Sequence, residues 1–212
     1  MKRRIARDLL KIRAVFLRPE EPFTWASGIK SPIYCDNRMT LSDVEVRDDV
    51  EQALAKLITR HYPECEMVMG TSTAGIAHAA LVADILEIPM GYVRNNAKDH
   101  GRNNQIEGRC EPGTKVVVVE DLISTAGSAV DVAEALRAAG AEVLGIVSIF
   151  TYGMKAGEDR LKEHNLKNVS ASNYDVLLEV ASGEGYISKK SIPALKAFRD
   201  NPSDESWMKG LK

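Results

Sequence analysis

The chain has 212 residues, enough for one domain with a sizeable core and too few for two full ones. With 44% hydrophobic and 27% charged residues it has the composition of an ordinary folded protein, and no apolar run approaches the roughly 20 residues that a membrane-spanning helix needs. A formal net charge of −2 argues against a surface built mainly to hold nucleic acid, so any anion site must be local.

The opening stretch MKRRIARDLLKIRAVF places Ile5, Leu9, Ile12 and Phe16 at helical spacing. Arg7, Asp8, Lys11 and Arg13 interrupt any secretory apolar core, so an amphipathic helix is predicted, with an organelle transit peptide as the alternative. FTWASGIKSPIYCDNR follows, with Gly and Pro set between aromatic and β-branched residues, as in edge strands or a hairpin. SDVEVRDDVEQALAKLITRHY then puts Val46, Val50, Leu54, Leu57 and Ile58 on one helical face, with Ser42 as the candidate N-cap and acids in the first turn.

From there the pattern alternates. EMVMG, PMGYV, KVVVVED and AEVLGIVSIF read as short buried strands, while GIAHAALVADILEI and SAVDVAEALRAAG read as helices between them. Such alternation predicts an α/β fold with a doubly wound, mainly parallel sheet, whose ligands bind at the carboxyl ends of strands. A single domain over 1–212 is expected: an N-terminal helix and a small hood over 1–40, a core sheet over 42–152, and C-terminal helices over 153–212. Cys35, Cys65 and Cys110 are odd in number and have no C-x-x-C spacing, which fits a reducing cytoplasm rather than disulfides or zinc. His61, His78 and His164 sit in helical patterns without metal-ligand spacing and read as structural.

Chemistry concentrates in VVVVEDLISTAGS, residues 116–128. Glu120 and Asp121 should emerge at the strand's carboxyl end, where they are either solvated charges or ligand-binding groups. A magnesium-holding acid pair of an ATPase would need a P-loop, and G-x-x-x-x-G-K-[ST] is absent. Ser124, Thr125, Ala126, Gly127 and Ser128 have so little bulk that their N–H groups can close around an anion at a helix start. Because carboxylates repel phosphate, the acids should face a different part of the same ligand, and sugar hydroxyls suit them. A ribose phosphate is implied. The stretch YVRNNAKDHGRNNQIEG and the Arg109 that follows it, with Arg94, Lys98, His100, Arg102 and Arg109 against Asp99 and Glu107, read as a solvated loop or as a basic lid for a second, highly charged anion. Lys30, between Gly28 and Pro32, is a candidate to reach into the cleft, and GTSTAGI at 70–76 is a second small-residue turn.

These residues resemble a known family. VVVVEDLISTAGS is similar to the phosphoribosyl-pyrophosphate (PRPP) motif of type I phosphoribosyltransferases, and FTWASGIKSPIY with AKDHG narrows the resemblance to the orotate phosphoribosyltransferases, along essentially the whole chain. The resemblance implies the type I phosphoribosyltransferase fold and transfer of a phosphoribosyl group from PRPP to orotate. It further implies that Glu120 and Asp121 hold the ribose hydroxyls, that Leu122, Ile123 and 124–128 surround the 5′-phosphate, and that Ser124 and Lys30 meet orotate, with Lys30 also on PRPP. Arg94, Lys98 and His100 would be the catalytic contacts to pyrophosphate, acting from the lid on the neighbouring subunit of a homodimer. Magnesium would be held mainly by PRPP and water, with no direct side-chain ligand, and no nucleic-acid or membrane partner is implied. Purine enzymes of this class carry an acid at the Ser124 position, where it would repel anionic orotate. A purine phosphoribosyltransferase and a PRPP-sensing, nucleic-acid-binding regulator are the alternatives. Four positions depart from relatives: Asn95 replaces a lid lysine found in many, Thr73 and Ala74 replace a Tyr-Lys found in some, and Tyr152 stands where others have an orotate-contacting arginine.

Overall fold

The computed structural model describes residues 1–25, 27–94 and 105–211. Helix α1 (Lys2–Lys11) turns Ile5, Leu9 and Leu10 inward. It ends where Arg13 adopts a left-handed φ of 58°, which lets the Ala14 N–H donate back to the Leu9 carbonyl at 2.9 Å. Phe16, expected on that helix, therefore lies on strand β1 (Val15–Leu17). The hood continues through β2 (Phe23–Thr24), β3 (Lys30–Ser31) and β4 (Ile33–Cys35). β2 and β3 form an antiparallel hairpin, and β1 pairs antiparallel with β4. A 3-10 turn over Asn37–Ser42 leads into α2 (Val44–His61). The cap of α2 is Asp43 rather than Ser42: extended backbone at Asp43 lets its carboxylate accept from the Val46 N–H at 3.0 Å, whereas Ser42 is still inside the 3-10 turn.

The sheet is built from β5 (Met67–Thr71), β6 (Met90–Val93), β7 (Ile106–Glu107), β8 (Lys115–Ile123) and β9 (Glu142–Thr151), with α3 (Ala74–Leu86) and α4 (Gly127–Ala138) as crossovers. After α5 (Lys155–Glu163) the chain adds β10 (Asn168–Asn173), so the segment expected to hold only helices and connections also supplies an edge strand. That strand, NVSASN, has no apolar run to announce it. Its polar side chains are instead satisfied within the sheet, Ser148 Oγ to Ser170 Oγ at 2.7 Å and Asn168 Nδ2 to Ser170 Oγ at 2.8 Å. The strand order is β10-β9-β8-β5-β6-β7, parallel except for β7. The chain winds outward from β5 to β6, then returns to place β8 on the other side of β5. The topological switch thus falls between β5 and β8, where a crevice opens at the strands' carboxyl ends.

Alternation along β8 explains its four valines. Val117 and Val119 pack with α1, α2 and α3, while Val116 and Val118 pack with α4 and α5, so the strand is covered on both faces. The chain then runs through α6 (Tyr174–Gly183) and α7 (Ile192–Asp200) to a 3-10 turn over Glu205–Leu211. These last elements meet the hood through stacked rings: Trp207 on Phe198 at 5.7 Å, Phe198 on Trp25 at 5.8 Å, and Trp25 on Tyr152 at 6.1 Å between centroids. Among the described residues no helix is long and apolar enough to cross a membrane.

Candidate active site

Pairing of β8 with β5 stops at Val119 and Gly70, whereas pairing with β9 runs on to Ile123 and Thr151. Past Val119, one edge of β8 has no strand beside it, and Glu120 and Asp121 fall in that gap. Side chains fill the missing ladder. Glu120 Oε1 accepts from Thr71 Oγ1 at 2.7 Å and from the Asp121 N–H at 2.9 Å. The Asp121 carbonyl accepts from Asn37 Nδ2 at 2.8 Å, and the Cys35 thiol donates to Asn37 Oδ1 at 3.3 Å. Glu120 is only 6% exposed. Burial first, then the hydrogen-bonded Asp121 carboxyl, push its titration up to about 8.

Beyond the acids, Ala126 takes a left-handed φ of 60° and α4 starts at the next residue. No side chain caps α4, so its first N–H groups remain available to an anion. They close a cavity of about 130 Å³ lined by Glu120, Leu122 and residues 123–129. Ile123 is buried in the core and Leu122, partly buried, packs against it. Helix α5 holds the loop from outside. Gly157 lies so close that a Cβ there would sit 2.3 Å from the Ser124 carbonyl oxygen, and Arg160 Nη1 donates to the Thr125 carbonyl at 3.1 Å.

Around this centre the other expected residues are distributed unevenly. Lys30, on β3 of the hood, gives its Nζ to Thr24 Oγ1 at 2.7 Å. Arg94 pairs with Glu107, Nε to Oε1 at 3.2 Å, and lines a separate cavity of about 100 Å³ with Gln105, Ser128 and Asp131. Lys98, His100 and Asn95 lie outside the described residues. In the 70–76 turn, a Cβ on Gly75 would be 2.4 Å from the Val119 carbonyl oxygen, which seats the start of α3 hard against β8. Tyr152 is 4% exposed, and its ring stacks edge-on against Phe150 and Tyr174, so it belongs to the core beside the crevice. His78 is buried against Glu51 at 2.7 Å, far in character from a metal site. A cavity of about 750 Å³ runs along β10 and α5; it reaches Ser124 at one end but includes neither acid.

Four contributors were not identified from sequence. Thr71 has a signal of sorts, as the first polar residue after EMVMG, within the GTSTAGI turn. Asn37, Gly157 and Arg160 have none, because each acts on residues far away in the chain.

Residues 44–179 match the family described as phosphoribosyl transferase domain. An orotate phosphoribosyltransferase of Bacillus anthracis is 56% identical over 208 residues, covering 98% of this chain and 99% of that protein. Among solved structures, the orotate phosphoribosyltransferase of Aeropyrum pernix superposes with a TM-score of 0.75 at 31% identity, over 87% of this chain and 99% of that one. The UMP synthase of Leishmania donovani gives a TM-score of 0.78 at 26% identity over 92% of this chain but 41% of that longer one. Identity at the level of the Bacillus relative along nearly the whole of both chains, on a shared fold, shows that the chain belongs to the orotate phosphoribosyltransferase family.

Proposed function

We propose that the chain transfers the 5-phosphoribosyl group of PRPP to orotate, giving orotidine 5′-monophosphate and pyrophosphate in pyrimidine biosynthesis, as a cytoplasmic homodimer. The observation that carries this reading is the juxtaposition, at one strand end, of an acid pair with an uncapped helix start. Carboxyls suit a diol and helix N–H groups suit a phosphate, so one ribose 5-phosphate satisfies both. Its hydroxyls meet Glu120 and Asp121, and its phosphate meets residues 124–128. The Glu120 proton gives the acid pair a donor as well as acceptors, which matches hydroxyls that both give and take hydrogen bonds.

Departure of pyrophosphate from C1′ leaves positive character on the ribose and negative charge on the leaving group. Carboxylate near the ring stabilises the first, and cations stabilise the second. Arg94, Lys98 and His100 are assigned to the pyrophosphate, reaching from the lid over the neighbouring subunit's crevice. Lys30 faces the incoming anionic base from the hood, and orotate N1 bonds to C1′ on the face opposite the leaving group. Ser124 brings no charge to that position, which favours orotate over a purine.

Among the described residues no three His, Cys, Asp or Glu side chains converge on a metal position. A magnesium ion would be held mainly by PRPP oxygens and water, with no direct side-chain ligand. Bound there, the ion would neutralise charge on the departing pyrophosphate.

The test is to supply the protein with PRPP and magnesium and offer orotate or purine bases separately, following nucleotide by chromatography. Orotidine 5′-monophosphate from orotate alone is the expected result, and turnover with a purine but not orotate would overturn the reading.

A further inference from the structure

We propose that Asn37 is a positioning residue for Asp121, acting across the crevice from the hood, with the Cys35 thiol setting the orientation of its amide. The inference rests on the phosphoribosyl-transfer reading above.

Asn37 is 1% exposed and stands 84 residues from the group it holds. Its own carbonyl accepts from Thr40 Oγ1 at 2.6 Å, which locks it at the start of the 3-10 turn. Asp121 needs such a partner because β5 ends at Thr71 and its last pair with β8 is Gly70 with Val119. A buried carbonyl left unpaired costs about 1–3 kcal/mol, and here a side-chain amide replaces the missing strand.

The contact has only one workable sense. The Asp121 carbonyl can only accept, so the Asn37 NH2 must face it and Oδ1 must face Cys35. The surrounding protein holds the Cys35 thiol well above its ordinary range by desolvation, with Asp121 and Asp36 nearby adding to the effect, so sulfur keeps its proton and remains the donor. On its other side the Asp121 N–H is taken by Glu120 Oε1. Both backbone groups of Asp121 are thus fixed, the N–H by Glu120 and the C=O by Asn37. Holding the two peptide groups that flank Asp121 fixes the Cα between them and hence the direction in which the Asp121 carboxylate leaves the strand. Tilting either peptide would move the acid that reads the ribose diol while leaving the phosphate loop in place.

The test uses Asn37→Asp, which keeps the shape but turns an oxygen toward the Asp121 carbonyl, and Asn37→Ala. Both should lower kcat/KM for PRPP on the order of tenfold, the size of one lost hydrogen bond, while the KM for orotate stays within about twofold. Combining Asn37→Ala with Asp121→Ala should cost no more PRPP affinity, read by calorimetry, than Asp121→Ala alone; effects that multiply would make Asn37 a structural residue and overturn the proposal. Cys35→Ser, which retains a donor, should keep the parent kinetics, and Cys35→Ala should lose part of them. This pair keeps the question answerable if Asn37 variants fold poorly, since equal behaviour of the two cysteine variants would also count against the proposal. A parent chain that makes no nucleotide from orotate would sink the functional reading, whereas an active parent with unaltered Asn37 variants would sink only this inference.

Discussion

At the scale of single residues, the protonated Glu120 has a consequence for stability. Its titration in the folded protein lies near 8, above the 4.5 of an ordinary glutamate, so between those values the native state binds more protons than the unfolded chain. The stabilisation linked to that proton is complete below about pH 4.5 and is lost as pH rises through about 8. Glu120→Gln keeps a neutral, hydrogen-bonding side chain and should flatten this part of the profile, raising stability relative to the parent at the alkaline end. Urea unfolding across that pH range checks it; parallel profiles for the two proteins would mean that Glu120 is already ionised. The same residues show how far the site could be read from sequence. Glu120, Asp121 and residues 124–128 are legible as a candidate site because an acid pair and a small-residue helix start lie side by side in one short stretch. Asn37 and Thr71 are not, because they reach these acids across 84 and 49 residues, and no local pattern encodes such a contact.

At the scale of elements, α5 is part of the phosphate loop's geometry although it follows the loop by a whole strand. Gly157→Ala would drive a methyl group into the Ser124 carbonyl, which a Cβ can approach only by moving the loop or the helix. Overpacking of this kind costs about 1–3 kcal/mol, and we expect that loss in urea unfolding together with a raised KM for PRPP. An unchanged KM would show that the loop keeps its shape without the close approach of α5. The elements themselves were unequally legible. β5, β6, β8 and β9 carry apolar runs because both faces of the sheet are covered, and their alternation with helices gave the parallel fold. β10 sits at the edge, where Asn168, Ser170 and Ser172 meet other polar groups, and its hydrophobic pattern is correspondingly absent. Phe16 was misplaced for a different reason: apolar spacing continues past Arg13, and only the left-handed turn there ends the helix.

At the scale of the whole molecule, N-terminal helix, sheet and closing helices share one apolar cluster that takes in Ile5, Val119 and Trp207. Trp207 is 3% exposed and stacks on Phe198, the ring against which Trp25 of the hood leans. Trp207→Ala should therefore cost about 3–5 kcal/mol and loosen the hood, seen as a larger change in PRPP affinity than in the circular dichroism of the sheet. Equal affinity in parent and variant would mean that the hood holds its place unaided. The stacked rings also bear on the order of events during synthesis. Residues 23–31 leave the ribosome long before the Phe198 and Trp207 against which that part of the hood is seated. A nascent chain with its sheet complete but α7 still in the exit tunnel would hold residues 120–128 without a settled hood, so the hood is the last wall of the crevice to be seated.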